Sequence, residues 1–234
     1  MLTPKKKLSK KEIKQDALLT AYAKATSLYY EHKKYINYAF TAVVVVVIGV
    51  LIFVNNRKAD NEKAIAELAK VFTVYDAGVT DRRQYTTAIN GQPEQGMIGL
   101  KGIVENYGST EAGESARFYL ANAYFNLGQY DDAMKYFDDF SSNNVLLRAS
   151  AVAGLAGCYE AKKEYGKAGA QFEKAAGISV TNVHAAEYLF SAARCYGHSG
   201  EKEKAISLLK QIKKDYSTSS FAREVDRYIS QYSA

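Results

Sequence analysis

Three histidines, two cysteines and two adjacent pairs of aspartates are the residues of this chain whose types suit metal or acid–base chemistry. Cys195-Tyr-Gly-His198 offers two metal ligands within one helical turn. A structural zinc site needs four ligands, and no second pair completes it. His32 and His184 stand apart from each other and from His198. Asp131-Asp132 and Asp138-Asp139 look like paired acid–base carboxylates, yet solvated helix ends collect such residues as well. No Gly-rich phosphate loop is present. The sequence therefore predicts no enzyme, no catalytic residue, no cofactor and no metal. What remains for these residues is recognition by surface.

The elements that would carry such a surface begin with a membrane segment. Tyr38 to Val54 holds 17 residues without a charge. Extended back to Ile36, the run makes about 28 Å of helix, close to a hydrocarbon core of about 30 Å. Val43 to Val47 would favour a strand in water, but in lipid a helix satisfies its own backbone hydrogen bonds. Tyr35, Tyr38 and Phe40 suit the interface. The reading is a transmembrane helix over 35–55.

Charge sets its direction. Residues 1–34 carry nine Lys against Glu12, Asp16 and Glu31, a net +6 that is the whole excess of the chain. The pI near 9 thus describes a tail, and nucleic acid is not an expected partner. Lys33 and Lys34 precede the span directly, so the positive-inside rule predicts a cytoplasmic N-terminus and a translocated body. The apolar run starts too late for a cleaved signal peptide, and Asn55-Asn56-Arg57-Lys58 offers no small-residue cleavage site. Residues 1–34 form a basic amphipathic segment whose face is Ile13, Ala17, Ala21, Tyr22, Ala25, Leu28 and Tyr29. Anionic membrane lipid and a partner helix are both expected occupants of that face.

An internal repeat predicts the body's fold. Tyr124, Gly128, Tyr130, Ala133 and Phe137 recur as Tyr159, Lys163, Tyr165, Ala168 and Phe172, shifted by 35 residues. Tyr196, Gly200, Lys202, Ala205 and Leu209 come after a further 37. That is a helical-hairpin period. Gly128 suits a left-handed helix cap, and small residues such as Ala133 and Ala168 let helices approach closely. Ile65, Leu68, Phe72 and Tyr75 predict one flanking helix over 59–77; Ile98, Ile103, Val104 and Tyr107 predict another over 94–107. The polar stretch TDRRQYTTAINGQPE between them reads as a long loop. Phe221, Val225, Tyr228 and Tyr232 mark a closing helix. Cys158 and Cys195 fall at matching places in neighbouring repeats, where first helices stack roughly 10 Å apart, too far for a disulfide. Free, buried thiols are expected.

These residues resemble the tetratricopeptide repeat family. YLANAYFNLGQYDDAMKYF keeps its pattern through Leu120, Ala121, Tyr124, Gly128, Tyr130, Ala133 and Phe137. The second copy has Lys163 in place of Gly, the third is the weakest, and all three lack the closing Pro. The expected fold is all-α: a single N-terminal transmembrane helix followed by a tetratricopeptide-like α-solenoid. Its parts are a basic segment over 1–34, the span over 35–55, a helical linker with a degenerate first repeat over 56–113, three repeats over 114–217, and a cap over 218–234.

In that family the inner faces of the first helices line a groove for a partner segment. The resemblance places Phe118, Asn122 and Phe125 there, then Ala153, Gly157 and Glu160, then Phe190 and Arg194. The same aromatics also suit packing against adjoining helices. The family's clamp for acidic chaperone tails needs Lys, Arg and Asn at set positions; only Asn122 matches, so that activity is not expected.

The order of short cytoplasmic tail, single span and exported repeats resembles bacterial inner-membrane proteins of the YfgM type. Those are ancillary partners of the Sec translocon that also contact periplasmic chaperones. The resemblance implies a periplasmic interaction scaffold in protein translocation or chaperone handover. An accessory structural subunit of a large inner-membrane complex is the alternative.

Overall fold

The computed structural model describes residues 10–178 and 183–233, with side chains described from residue 19 onward. Lys5, Lys6 and Lys7 and the side chains of Ile13 and Ala17 lie outside the described residues. The chain falls into two compact units, Met1–Asn56 and Arg57–Ala234. Among the described residues every element is helical, apart from a single bridge between Gln92 and Met97.

The first helix, α1 (Lys10–Ala77), contributes to both units. In the first unit it is unbroken, and of residues 19–56 every side chain is exposed except that of Thr26. It is long and apolar enough to cross a membrane, and none of its most apolar window is buried in protein. In water so many bare Val, Ile and Leu side chains would oppose folding; in lipid they are at home. The linker helix expected over 59–77 is thus the continuation of the long apolar helix rather than a separate element. No Gly or Pro between Gly49 and Gly78 interrupts it.

In the second unit the stretch expected as a loop is ordered. Helix α2 (Arg83–Asn90) buries Tyr85, Ala88 and Ile89. Those three positions carry helical spacing, which the polar residues around them disguise. A 3-10 turn (Pro93–Gln95) comes next, and α3 starts at Gly99 (Gly99–Tyr107) rather than at residue 94. The delay has a backbone cause. Gly91 and Gly99 hold φ of +80° and +71°, and a Cβ on Gly99 would lie 2.3 Å from the Gly91 nitrogen. The two backbones touch where the chain reverses, so neither position tolerates a side chain.

Three helical hairpins complete the body: α4 (Glu111–Leu127) with α5 (Tyr130–Asp138), α6 (Val145–Ala161) with α7 (Tyr165–Gly177), and α8 (Ala185–Ser199) with α9 (Lys202–Asp215). Thr110 caps α4 through its hydroxyl, which accepts from the Gly113 amide at 3.0 Å. Asn144 caps α6 by accepting from Leu146 and Leu147. Each first helix ends the same way: the amides of Gln129, Glu164 and Glu201 donate to the carbonyls of Tyr124, Tyr159 and Tyr196, each at 2.9 Å. That six-to-one bond needs a left-handed residue in between. Gly128 and Gly200 supply it at no steric cost, and Lys163 does so at φ +62°.

Ala133, Ala168 and Ala205 are all fully buried where the hairpin helices cross. Two cores result. One gathers residues from Ala64 to Cys158, the other from Ala149 to Tyr232, and α6 gives one face to each. Helix α10 (Val225–Ser233) closes the second core with Val225 and Tyr232.

Candidate functional site

The surface that the repeats expose begins on α4. Phe118, Asn122 and Phe125 recur at helical spacing on one stripe, and all three are half-buried. Phe118 packs edge-on against Phe137 at 6.1 Å and tilts against Phe140 at 5.5 Å. Asn122 turns its amide back onto the Phe118 carbonyl at 2.8 Å, so one of its donors is already used. One turn on, Asn126 donates to the Asn122 carbonyl. Arg82, ahead of α2, donates to the Asn126 carbonyl and pins the end of this stripe.

Phe125 leans toward the next repeat. A Cβ on Gly157 would sit 3.4 Å from its ring, so the glycine leaves room for the aromatic edge on α6. Ala153, Gly157 and Glu160 continue that small-residue face at the same spacing. Glu160 then accepts a hydrogen bond from Arg194 on α8 at 3.2 Å. With both side chains about a third exposed, the pair is worth no more than about 1 kcal/mol. It links the first helices of two repeats and cancels both charges on the face.

Phe190 lies elsewhere. It is 8% exposed and belongs to the second core, 5.4 Å from Phe221 and 5.0 Å from Tyr228. Its role in the structure is to seat the closing helix. The structure therefore brings together Phe118, Asn122 and Phe125 with Glu160 and Arg194 in a row of three helices, and sets Phe190 beneath the cap.

Sequence reasoning missed how far the aromatic surface extends. Phe72, 39% exposed, meets Tyr119 edge-on at 5.4 Å, and Tyr119 meets Tyr75 at 5.2 Å and Phe118 at 6.1 Å. The 3–4 spacing of Phe72 and Tyr75 was the available signal, but it identifies a helix without naming its neighbour. Burial among these rings pushes the Tyr75 hydroxyl well above its ordinary range. A second, polar concavity lies between α2 and α5, lined by Asn90, Lys101, Tyr124, Gln129 and Asp132 among others. There Lys101 sits over the Tyr124 ring and Tyr124 stacks on Tyr136 at 5.6 Å.

Among the described residues no group of three or more His, Cys, Asp or Glu is placed to hold a metal. Cys195 is fully buried, whereas His198 is exposed and stacks against Tyr165 at 5.1 Å, so the two do not converge. Cys158 and Cys195 are free, buried and in different cores. Burial pushes both thiols up to about 12. Thiols so shielded are inert packing groups.

Comparison with known proteins agrees with this arrangement. One tetratricopeptide repeat model matches residues 118–183 and a second matches residues 187–219. No curated protein matches the chain. Hairpin geometry, repeat period and family models coincide: from residue 118 to residue 219 the chain carries tetratricopeptide repeats.

Proposed function

We propose that the protein is a membrane-anchored periplasmic scaffold of the bacterial inner membrane, in which the repeats hold partner proteins. Its N-terminus is cytoplasmic and its repeats are exported. The observation that carries this reading is the row of half-buried aromatics on α4 beside the small, charge-cancelled face of α6. Such a floor offers apolar area with few fixed charges, as suits a partner segment anchored by its own side chains. Phe118, Asn122, Phe125, Glu160 and Arg194 form its working face, while Phe190 seats the closing helix. The process served is protein translocation or the handover of clients to periplasmic chaperones, which the architectural resemblance supports.

An accessory structural subunit of a large membrane complex is the second reading. The exposed helix over residues 19–56 favours it, because a helix so bare has surface left for a fixed neighbour. A photocrosslinker placed at Phe125 or Asn122 in native membranes separates the two. Adducts with translocon subunits or chaperones support the scaffold; adducts with one stoichiometric complex support the subunit. Equal adducts from Ala170, exposed on α7, would exclude this face as the binding surface.

A further inference from the structure

The exposed helix of the first unit carries a period that neither the span nor the positive tail requires. Ala21, Leu28, Tyr35, Ala42 and Gly49 recur every seven residues. A second row, Ala25, His32, Ala39 and Val46, runs four residues out of step with it. Together they are the two positions of a coiled-coil seam, sustained from the basic segment into the span. Ala39, Ala42 and Gly49 are the only Ala or Gly between Tyr38 and Val54, and all three fall on the seam. Leu28, Tyr35 and Val46 are 56%, 73% and 63% exposed, and nothing lies within 4 Å of a Cβ on Gly49.

We propose that this seam pairs two copies of the chain as a parallel, left-handed helix dimer. Helices in lipid gain nothing from hiding apolar surface, so they associate where small residues let backbones approach. The occupant must present a helix in one register both in the membrane and beyond it. A second copy does so by two-fold symmetry. Over residues 21–49 no like charges oppose each other beside the seam: Lys24 faces the partner's Tyr29, and Glu31 faces the partner's Ile36. Ahead of them the same two rows reach Lys14 and Lys11, where the seam ends. Lying flat on anionic lipid would require a break between Lys33 and Ile36, and α1 has none there. The +6 of each N-terminal segment works against the pair, so pairing strengthens as salt screens it. An acidic partner would show the opposite dependence. The dimer rests on the membrane span and not on the repeat groove.

The test uses the full-length chain in phosphatidylcholine vesicles, with single cysteines oxidised by copper phenanthroline. Cys158 and Cys195 are buried, and the parent chain controls for them. Ala25→Cys and Ala42→Cys lie on the seam; Ala23→Cys and Val44→Cys lie on the opposite side of the helix. The expected result is covalent dimer from the seam pair at roughly tenfold the yield of the others, rising with salt. Adding Gly49→Leu to Ala25→Cys should cut that yield roughly tenfold while thermal unfolding of the repeats is unchanged. Equal yields at all four positions would report random collision and overturn the proposal, as would no dimer at Ala42→Cys. Yield that appears only with anionic lipid, equal on both faces, would assign the segment to the membrane surface instead.

Discussion

Lys163 occupies in the second repeat the left-handed turn that Gly128 occupies in the first: φ is +62° at one and +78° at the other, and the next amide donates to the carbonyl of the tyrosine five residues back, Tyr159 in one and Tyr124 in the other. A lysine pays a steric cost there that glycine does not. Lys163→Gly should therefore stabilise the fold by roughly 0.5–1 kcal/mol after the entropy lost on ordering glycine is offset. The urea midpoint should rise. A fall would mean that the Lys163 side chain holds the turn in some other way.

Ala168 is fully buried where α6 and α7 cross, and Ala170, two residues on, is exposed. Ala168→Leu should overpack the crossing by about 1–3 kcal/mol. Ala170→Leu should change stability by less than about 0.5 kcal/mol. Ser142 is a poorer control, because its side chain is half-buried and accepts from the Asn144 amide. Equal effects at 168 and 170 would contradict the helix register.

Phe125 and Phe190 should separate binding from folding. Phe125→Ala should weaken partner capture roughly thirtyfold, the loss typical of a truncated interface anchor. The melting temperature should change little. Phe190→Ala should instead cost about 3–5 kcal/mol of stability, because it opens a cavity beneath Phe221 and Tyr228. If Phe125→Ala leaves every interaction intact, the partner binds elsewhere.

The two thiols make stability depend on pH at the alkaline end. Their folded values, pushed up to about 12 from an ordinary 9, mean that the unfolded chain loses these protons first. Their contribution is complete below pH 9 and is lost as pH rises toward 12. Cys158→Ala with Cys195→Ala should flatten the decline in urea midpoint over that window. An unchanged slope would assign the alkaline loss to buried tyrosines such as Tyr75.

A reporter fused after Ala234 tests the topology. It should be active only outside the cytoplasm, and protease added to spheroplasts should leave a short membrane-bound stub. Protection of residues 55–234 in intact spheroplasts, with digestion after lysis, would reverse the orientation.

The repeats were legible because their marks are local and periodic: Tyr124, Gly128, Ala133 and Phe137 name a turn and a crossing, then name them again. The helix Arg83–Asn90 was not, since three buried positions among Arg, Gln, Thr and Asn fall below any short-window signal. The start of α3 was misread because Gly91 and Gly99 act through a contact across eight residues rather than along the helix. At the site, spacing found the faces of α4 and α6. It could not tell that a closing helix seals Phe190, since an inward-facing residue at the end of a solenoid is groove or core according to whether another helix covers it. Nor could it find Phe72 beside Tyr119, a pairing made only in three dimensions.

Helix α6 is the wall between two cores, and that gives the body an order of assembly. All residues of the first core, from Ala64 to Cys158, precede those of the second except Ala149 and Ala156, which lie on the reverse side of α6. A chain delivered N-terminus first can thus close its leading half before α8 and α9 arrive. Once closed, that half presents Ala149 and Ala156 on the reverse side of α6, where α7 packs next. Assembly then runs in the direction of synthesis, without waiting for the C-terminus.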